Sequence, residues 1–260
     1  MRKNSPWRIH DSNSLTAAEW LAKTCGSDLQ IVAKVTLDTT AWVGHLECQP
    51  IFAKLYPHAV SAARWQTEAA IAGGGIHPAI VSLRSAVKCS DGMLHLYDRV
   101  RGENLGNSDV KVRFAQLPIR DRATAVYTVV AALAAIGDAG FVIVDWYEGN
   151  MLYDFETAQV WLFDWELCRV GDSFILEMNS NYGSSRLQAP EEFVRGSRID
   201  GRTLVYNLGR YVLLQLPELA EPLADVLSRA TFPAKAGRHA SIREFASELR
   251  KVLAFTRVLD

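Results

Sequence analysis

An excess of charge is missing from this chain: 28 Lys and Arg stand against 29 Asp and Glu, a formal net charge of −1. Electrostatics therefore give no reason to expect nucleic acid or an anionic membrane as the main partner. Cysteine is scarce. Cys25, Cys48, Cys89 and Cys168 stand apart from one another, with neither zinc-knuckle spacing nor the density of a disulfide framework, and they read as reduced thiols. No apolar run is long enough to span a bilayer, and the opening MRKNSPWRIHDSNS is basic without an apolar signal-peptide core. Repeats and low-complexity tracts are absent too. These absences lead us to expect a cytoplasmic protein with neither nucleic acid nor membrane as partner.

What is present is ordinary globular material, 49% hydrophobic and 22% charged over 260 residues, enough for one large domain or two lobes. The most informative stretch runs from Phe141 to Glu166, FVIVDWYEGNMLYDFETAQVWLFDWE. Two apolar runs, Met151-Leu152-Tyr153 and Val160-Trp161-Leu162-Phe163, flank the polar tip Asp154-Phe155-Glu156-Thr157 and predict a β-hairpin. That hairpin would bring Asn150 and Asp164 together, a hard carboxylate and amide oxygen suited to Mg²⁺. Asp145, five residues before Asn150, would face the same pocket as a base. Taken singly, each of these polar residues reads as a turn or cap residue.

Upstream, residues 14–24 predict a short helix capped by Ser14. The runs LQIVAKVTL, AWVGHLEC and PIFAKLY, from Leu29 onward, predict strands, the third carrying Lys54, which on its own reads as an edge or snorkelling lysine. Residues 60–72 form an Ala-rich helical run with one acid, Glu68, before the breaker Gly73-Gly74-Gly75. A turn at Ile76-His77-Pro78-Ala79-Ile80-Val81 leads to another strand, and Met93 to Leu105 reads as strand then glycine turn. Residues 120–139 predict a buried helix delivering the chain to Asp145; Thr203 to Leu216, 218–230 and 241–254 predict three more. Trp165 to Gln188 reads as polar and irregular and ends in GSSRLQAPE, Gly183 to Glu191.

Strand lysine, helix glutamate, Asp-x-x-x-x-Asn, a hairpin, a second Asp and a Gly-Ser…Ala-Pro-Glu segment follow one another from about Val35 to Leu253. This order resembles the protein kinase superfamily, most of all its bacterial eukaryotic-like serine/threonine branch. The resemblance implies an α+β, two-lobed kinase-like fold in one domain, 1–260. Residues 1–98 would form a small antiparallel β lobe with one helix after the short leading helix, and 99–260 a mainly helical large lobe. It implies ATP and Mg²⁺ as cofactors and a protein Ser or Thr hydroxyl as acceptor. Asp145 becomes the catalytic base, Asn150 and Asp164 the metal ligands, and Lys54 the phosphate-binding lysine oriented by Glu68. Tyr97 would sit at the back of the adenine site, backbone groups of Asp98 and Val100 would bond the adenine edge, and Thr39 and Thr40 would lie in the phosphate-covering loop. Ser184 and Glu191 fall in the substrate-docking segment, with Arg238 as the partner of Glu191.

The chain departs from the family pattern at several places. The glycine-rich loop is Leu37-Asp38-Thr39-Thr40-Ala41-Trp42-Val43-Gly44, whose β-branched residues approach phosphate less closely than glycine. His-Arg-Asp becomes Ile143-Val144-Asp145, and Asp-Phe-Gly becomes Asp164-Trp165-Glu166. Tyr147 stands where the family places a lysine, and Leu204 where it buries an aspartate. Two further readings therefore stay open. A small-molecule kinase of the aminoglycoside or choline type shares the Asp/Asn/Asp set and is favoured by Tyr147, although such kinases generally lack a segment like 183–191. A pseudokinase binding module is favoured by the loop.

Overall fold

The computed structural model describes residues 7–25, 30–36 and 39–259. Among them the protein is mixed α and β, with seven α-helices and a six-stranded mixed sheet as the largest of its sheets. Packing divides the chain into two compact units, Met1–Gly75 with Ile80–Val100, and Ile76–Ala79 with Arg101–Asp260. No helix among the described residues is long and apolar enough to cross a membrane.

The first unit holds β1 (Arg8–Ser12), α1 (Ala17–Cys25), β2 (Gln30–Thr36), β3 (Thr39–Leu46), β4 (Gln49–Pro57), α2 (Ala62–Ala72), β5 (Leu83–Cys89) and β6 (Gly92–Asp98), with strand order β1-β5-β6-β4-β3-β2. Successive side chains on a strand point to opposite faces, so β4 divides its residues cleanly. Ile51, Ala53 and Leu55 join Val87, Leu94 and Leu96 against Ala17, Leu21 and Cys25 of α1. On the other face Tyr56, Ala86 and Met93 meet Trp65 of α2. Lys54 is two residues from Tyr56 and shares that face.

Two expectations are corrected here. The sheet is not wholly antiparallel, because β1 pairs in parallel with β5, Arg8 opposite Ser85 through Ser12 opposite Cys89. Four of the five β1 residues are exposed, so it buries no apolar face and left no alternating signal. The short leading helix, α1, is part of this unit's core. Finally, α1 is capped by Thr16, not Ser14. Glu19 N–H donates to Thr16 Oγ1 at 3.2 Å while Thr16 N–H donates to Glu19 Oε2 at 2.8 Å, a reciprocal box that needs the acid three residues on.

The second unit contains β7 (Glu103–Asn104), α3 (Ser108–Ala115), α4 (Ile119–Asp138), β8 (Phe141–Val142), β9 (Met151–Asp154), β10 (Gln159–Leu162), β11 (Arg169–Val170), β12 (Ser173–Ile175), β13 (Arg198–Asp200), α5 (Gly201–Gln215), α6 (Ala224–Ala230) and α7 (Ile242–Phe255). Ala123, Val126, Val129, Val130, Leu133 and Ile136 make α4 its buried axis, with α5 and α7 packed against it. Asp200 caps α5 by accepting from Arg202 N–H and Thr203 N–H at 3.0 and 3.3 Å, so the helix begins at Gly201, two residues before the predicted start. The predicted helix at 218–230 is a 3-10 turn, Pro217–Leu219, followed by the shorter α6. The stretch expected to be irregular carries β11 on β8 and β12 on β13.

Candidate functional site

In the second unit β9 and β10 form an antiparallel hairpin with Leu162 opposite Met151 and Gln159 opposite Asp154. Asp154 Oδ1 accepts from Glu156 N–H at 2.9 Å and closes the tip. One step beyond the ladder, Phe163 N–H donates to Asn150 O at 3.2 Å, which draws Asp164 to the level of Asn150. Asn150 in turn donates from Nδ2 to the Asp145 carbonyl at 2.8 Å. The three residues named from spacing are thus tied by one ladder end and one side-chain bond. Asp145 and Asp164 both have left-handed backbones, φ 60° and 73°, a conformation that aspartate tolerates better than most residues but that still stores strain.

Burial raises the Asp145 carboxyl to a pKa of about 6, and the charges of Asp164 and Glu166 add to the rise. Tyr147 is raised by burial and then by Asp145 and Asp164, so its hydroxyl lies within their field. A folded pKa above the unfolded value of about 3.9 means that the native state binds the proton more tightly, and Asp145 therefore costs stability increasingly as pH rises through about 6. Asp145→Asn is accordingly expected to melt higher than the parent at about pH 8, with the difference vanishing as pH falls to about 4. Differential scanning fluorimetry across that range checks it; a variant less stable at every pH would contradict the crowding.

The donor set suits Mg²⁺. Asn150 spends an amide N–H on Asp145 O, which leaves its Oδ1 as the atom able to bind a cation, and Asp164 follows one step beyond the Phe163–Asn150 ladder bond; like-charge crowding at Asp145 is what a cation relieves. Among the described residues no group of three or more His, Cys, Asp or Glu is arranged to hold a metal; Asn150 and Asp164 offer one amide and one carboxylate, where Mg²⁺ commonly takes one or two carboxylates with phosphates and waters completing its shell.

The 183–191 segment passes against Asp145. A Cβ on Gly183 would stand 3.7 Å from Asp145 Cα and 3.9 Å from its Oδ1, and φ there is +114°, so glycine both passes close to the carboxylate and permits the turn. Ser184 accepts at its carbonyl from Leu187 N–H at 2.9 Å. Glu191 is clamped by Arg238, Nη1 to Oε1 at 2.7 Å and Nη2 to Oε2 at 2.9 Å. Next to it Glu192 gathers Asn207 Nδ2, Ala189 N–H and Asn181 Nδ2 at 2.6, 2.7 and 2.9 Å. The knot of Glu192, Asn207 and Asn181 was not foreseen, since an acid beside Glu191 looks like one more surface charge. A small cavity lined by Asp145, Trp146, Gly183, Ser184 and Leu204 adjoins it.

In the first unit Lys54 stands opposite His95 in the β4–β6 register, its Nζ 5.0 Å from the Tyr56 ring centroid. Burial and the Lys54 charge press His95 down to about 3, which keeps it neutral. Tyr97 donates to Glu68 Oε1 at 3.3 Å and lies 3.1 Å from His95 Nδ1; burial and then Glu68 hold its pKa well above the usual phenol value. Lys54, half-buried, thus stands beside a buried cluster of Glu68, Tyr97 and His95. Asp98 N–H donates to Ser82 O at 3.1 Å, and Arg84 pairs with its carboxylate, so of its backbone groups the carbonyl remains for the expected adenine contact, with Val100 beyond the strand end. In the expected phosphate-covering loop, Leu37 and Asp38 lie outside the described residues; Thr39 opens β3, and Thr40 pairs with Leu55.

No protein-family model matches the chain, and a search of curated proteins returns no match.

Proposed function

We propose that this protein is a Mg-ATP-dependent phosphotransferase of the protein kinase type, a small β lobe and a mainly helical lobe, that passes phosphate to a serine or threonine hydroxyl of a protein. The observation that supports it most is the convergence of Asp145, Asn150 and Asp164, through Asn150 Nδ2 on the Asp145 carbonyl and Phe163 N–H on the Asn150 carbonyl, with Gly183 lying against Asp145. Asp145 orients the acceptor hydroxyl and takes its proton as the oxygen bonds the γ-phosphorus and the bond to the ADP oxygen breaks. A carboxyl near 6 suits that task, ionised at neutral pH yet basic enough to accept a proton. Asn150 and Asp164 would hold Mg²⁺, which offsets phosphate charge. Lys54, steadied within the Glu68 and Tyr97 cluster, is assigned to the α- and β-phosphates.

Saturating Mg-ATP at about 100 times its Kd stabilises a binder by about 2.7 kcal/mol, so the melting temperature is expected to rise, and Lys54→Met to lose most of that rise. No shift at millimolar nucleotide leaves a non-nucleotide scaffold. Tyr147, beside Asp145 and Asp164 where a lysine would serve a protein kinase, favours a second reading, a small-molecule hydroxyl kinase. Labelled ATP offered with generic protein acceptors and with a panel of small alcohols separates the two.

A further inference from the structure

Glu148 lies in the 3-10 turn Glu148–Asn150, three residues after Asp145, and its side chain is only 1% exposed. A carboxylate so far from water is costly unless it is paired and hydrogen-bonded. Its partners come from elsewhere in the same unit. Arg186 Nη2 lies 3.2 Å from Oε2 and 3.4 Å from Oε1, and Gln215 Nε2 at the end of α5 donates to Oε1 at 3.3 Å. Arg186 follows Gly183, whose backbone passes against Asp145. Its own carbonyl takes a long bond of 3.4 Å from Arg210 Nε, and Asn207 Nδ2 donates to Leu187 O at 2.9 Å. One side chain of the Asp145–Asn150 turn therefore reaches directly into the 183–187 stretch.

We propose that the Glu148–Arg186 pair is a built-in latch that seats residues 183–187 across Asp145, so that both act as positioning residues for the acceptor. The functional half of this rests on the phosphotransferase reading; the latch itself does not. With Glu148 buried and Arg186 half exposed, the pair is a poor device for net stability, because solvent screens the arginine while the carboxylate is still desolvated. What it does supply is register, since one geometry satisfies both partners. It also removes a need. Val144 offers no cation beside Asp145, and Arg186 Nη2 is already on Glu148, so added phosphate on Ser180, Tyr182, Ser184 or Ser185 would have to compete with Glu148 for that group. The segment is seated in the unmodified chain.

The test is amide hydrogen exchange at Leu187 and Gln188, whose N–H groups bond Ser184 O at 2.9 and 3.3 Å, in Glu148→Gln, Arg186→Gln, the double variant and Arg186→Lys. Each single variant is expected to exchange about tenfold faster there, with α4 unchanged. The double variant should be no faster than the singles, and Arg186→Lys should restore most of the protection. Glu148→Gln leaves no buried charge behind, so it reports even where Arg186→Gln folds poorly. With a protein acceptor, the same variants should raise the acceptor KM about tenfold with the KM for ATP unmoved, and phosphatase treatment should leave the wild-type rate unchanged. Unaltered exchange in Glu148→Gln, or additive losses in the double variant, overturns the latch. Faster exchange in the single variants, together with a wild type that transfers no phosphate, keeps the latch and removes the phosphotransferase reading.

Discussion

Asp145→Asn is expected to keep Mg-ATP binding and to lower phosphoryl transfer by at least about 10²-fold, the usual share of a positioned general base. The substitution is well isolated. Asparagine accepts a left-handed backbone such as φ 60° at least as readily as aspartate, and Asn150 bonds the main-chain carbonyl of Asp145, which the change leaves in place. Removing one of three crowded carboxylates does not unfold the site; by the charge argument it relaxes it. Under the proposed mechanism only the proton acceptor is lost. Single-turnover transfer from labelled ATP, together with the nucleotide-induced melting shift, reads the two properties separately. Transfer near the wild-type rate would reduce Asp145 to a turn residue and take the proposed mechanism with it.

The second large effect concerns stability. Arg238 is fully buried, and its guanidinium serves both Glu191 oxygens and the carbonyls of Phe232, Arg202 and Pro233, at 2.7 to 3.1 Å, above the Tyr206 ring. Arg238→Ala leaves a mostly buried carboxylate and three carbonyls without their donor. Breaking one side of such a pair costs about 3–5 kcal/mol, which for a unit of this size lowers the melting temperature by about 10 °C. Lys235, 3.8 Å from Glu191 and 3.2 Å from Asp200, offsets part of the lost charge and places the loss toward the lower end. Arg238→Lys should recover little, because a single ammonium cannot reproduce the fork. A thermal melt of both variants checks this, and a shift under about 2 °C would mean that the clamp contributes almost nothing.

Much of the site was legible in the chain because local rules govern it. The hairpin follows from two apolar runs around a polar tip, and once it forms, Asn150 and Asp164 must come together. Asp145 is only five residues away and needs no distant partner to join them. Lys54 on the α2 face follows from alternation along β4. Residues whose role depends on remote partners were not legible. Glu148 looks like a solvated turn acid, and its burial makes sense only through Arg186, 38 positions on, and Gln215, 67 positions on. Glu192 needs Asn181 and Asn207 to be a core residue. Strand β1 has no apolar face to announce it, and its existence depends on the open edge of β5.

That edge has a consequence for how the chain matures during synthesis. Residues 8–12 are made early, but their partners in the sheet are residues 85–89. At the pace of translation, about 5–20 residues per second, the early segment waits several seconds for its place. Through that interval the backbone donors and acceptors of β1 are unclaimed, and its four outward-facing residues, with Arg8, His10 and Asp11 among them, keep it hydrated rather than prone to pair with a neighbouring nascent chain. The polar composition that hid the strand from sequence reading is thus what lets it wait safely on the ribosome.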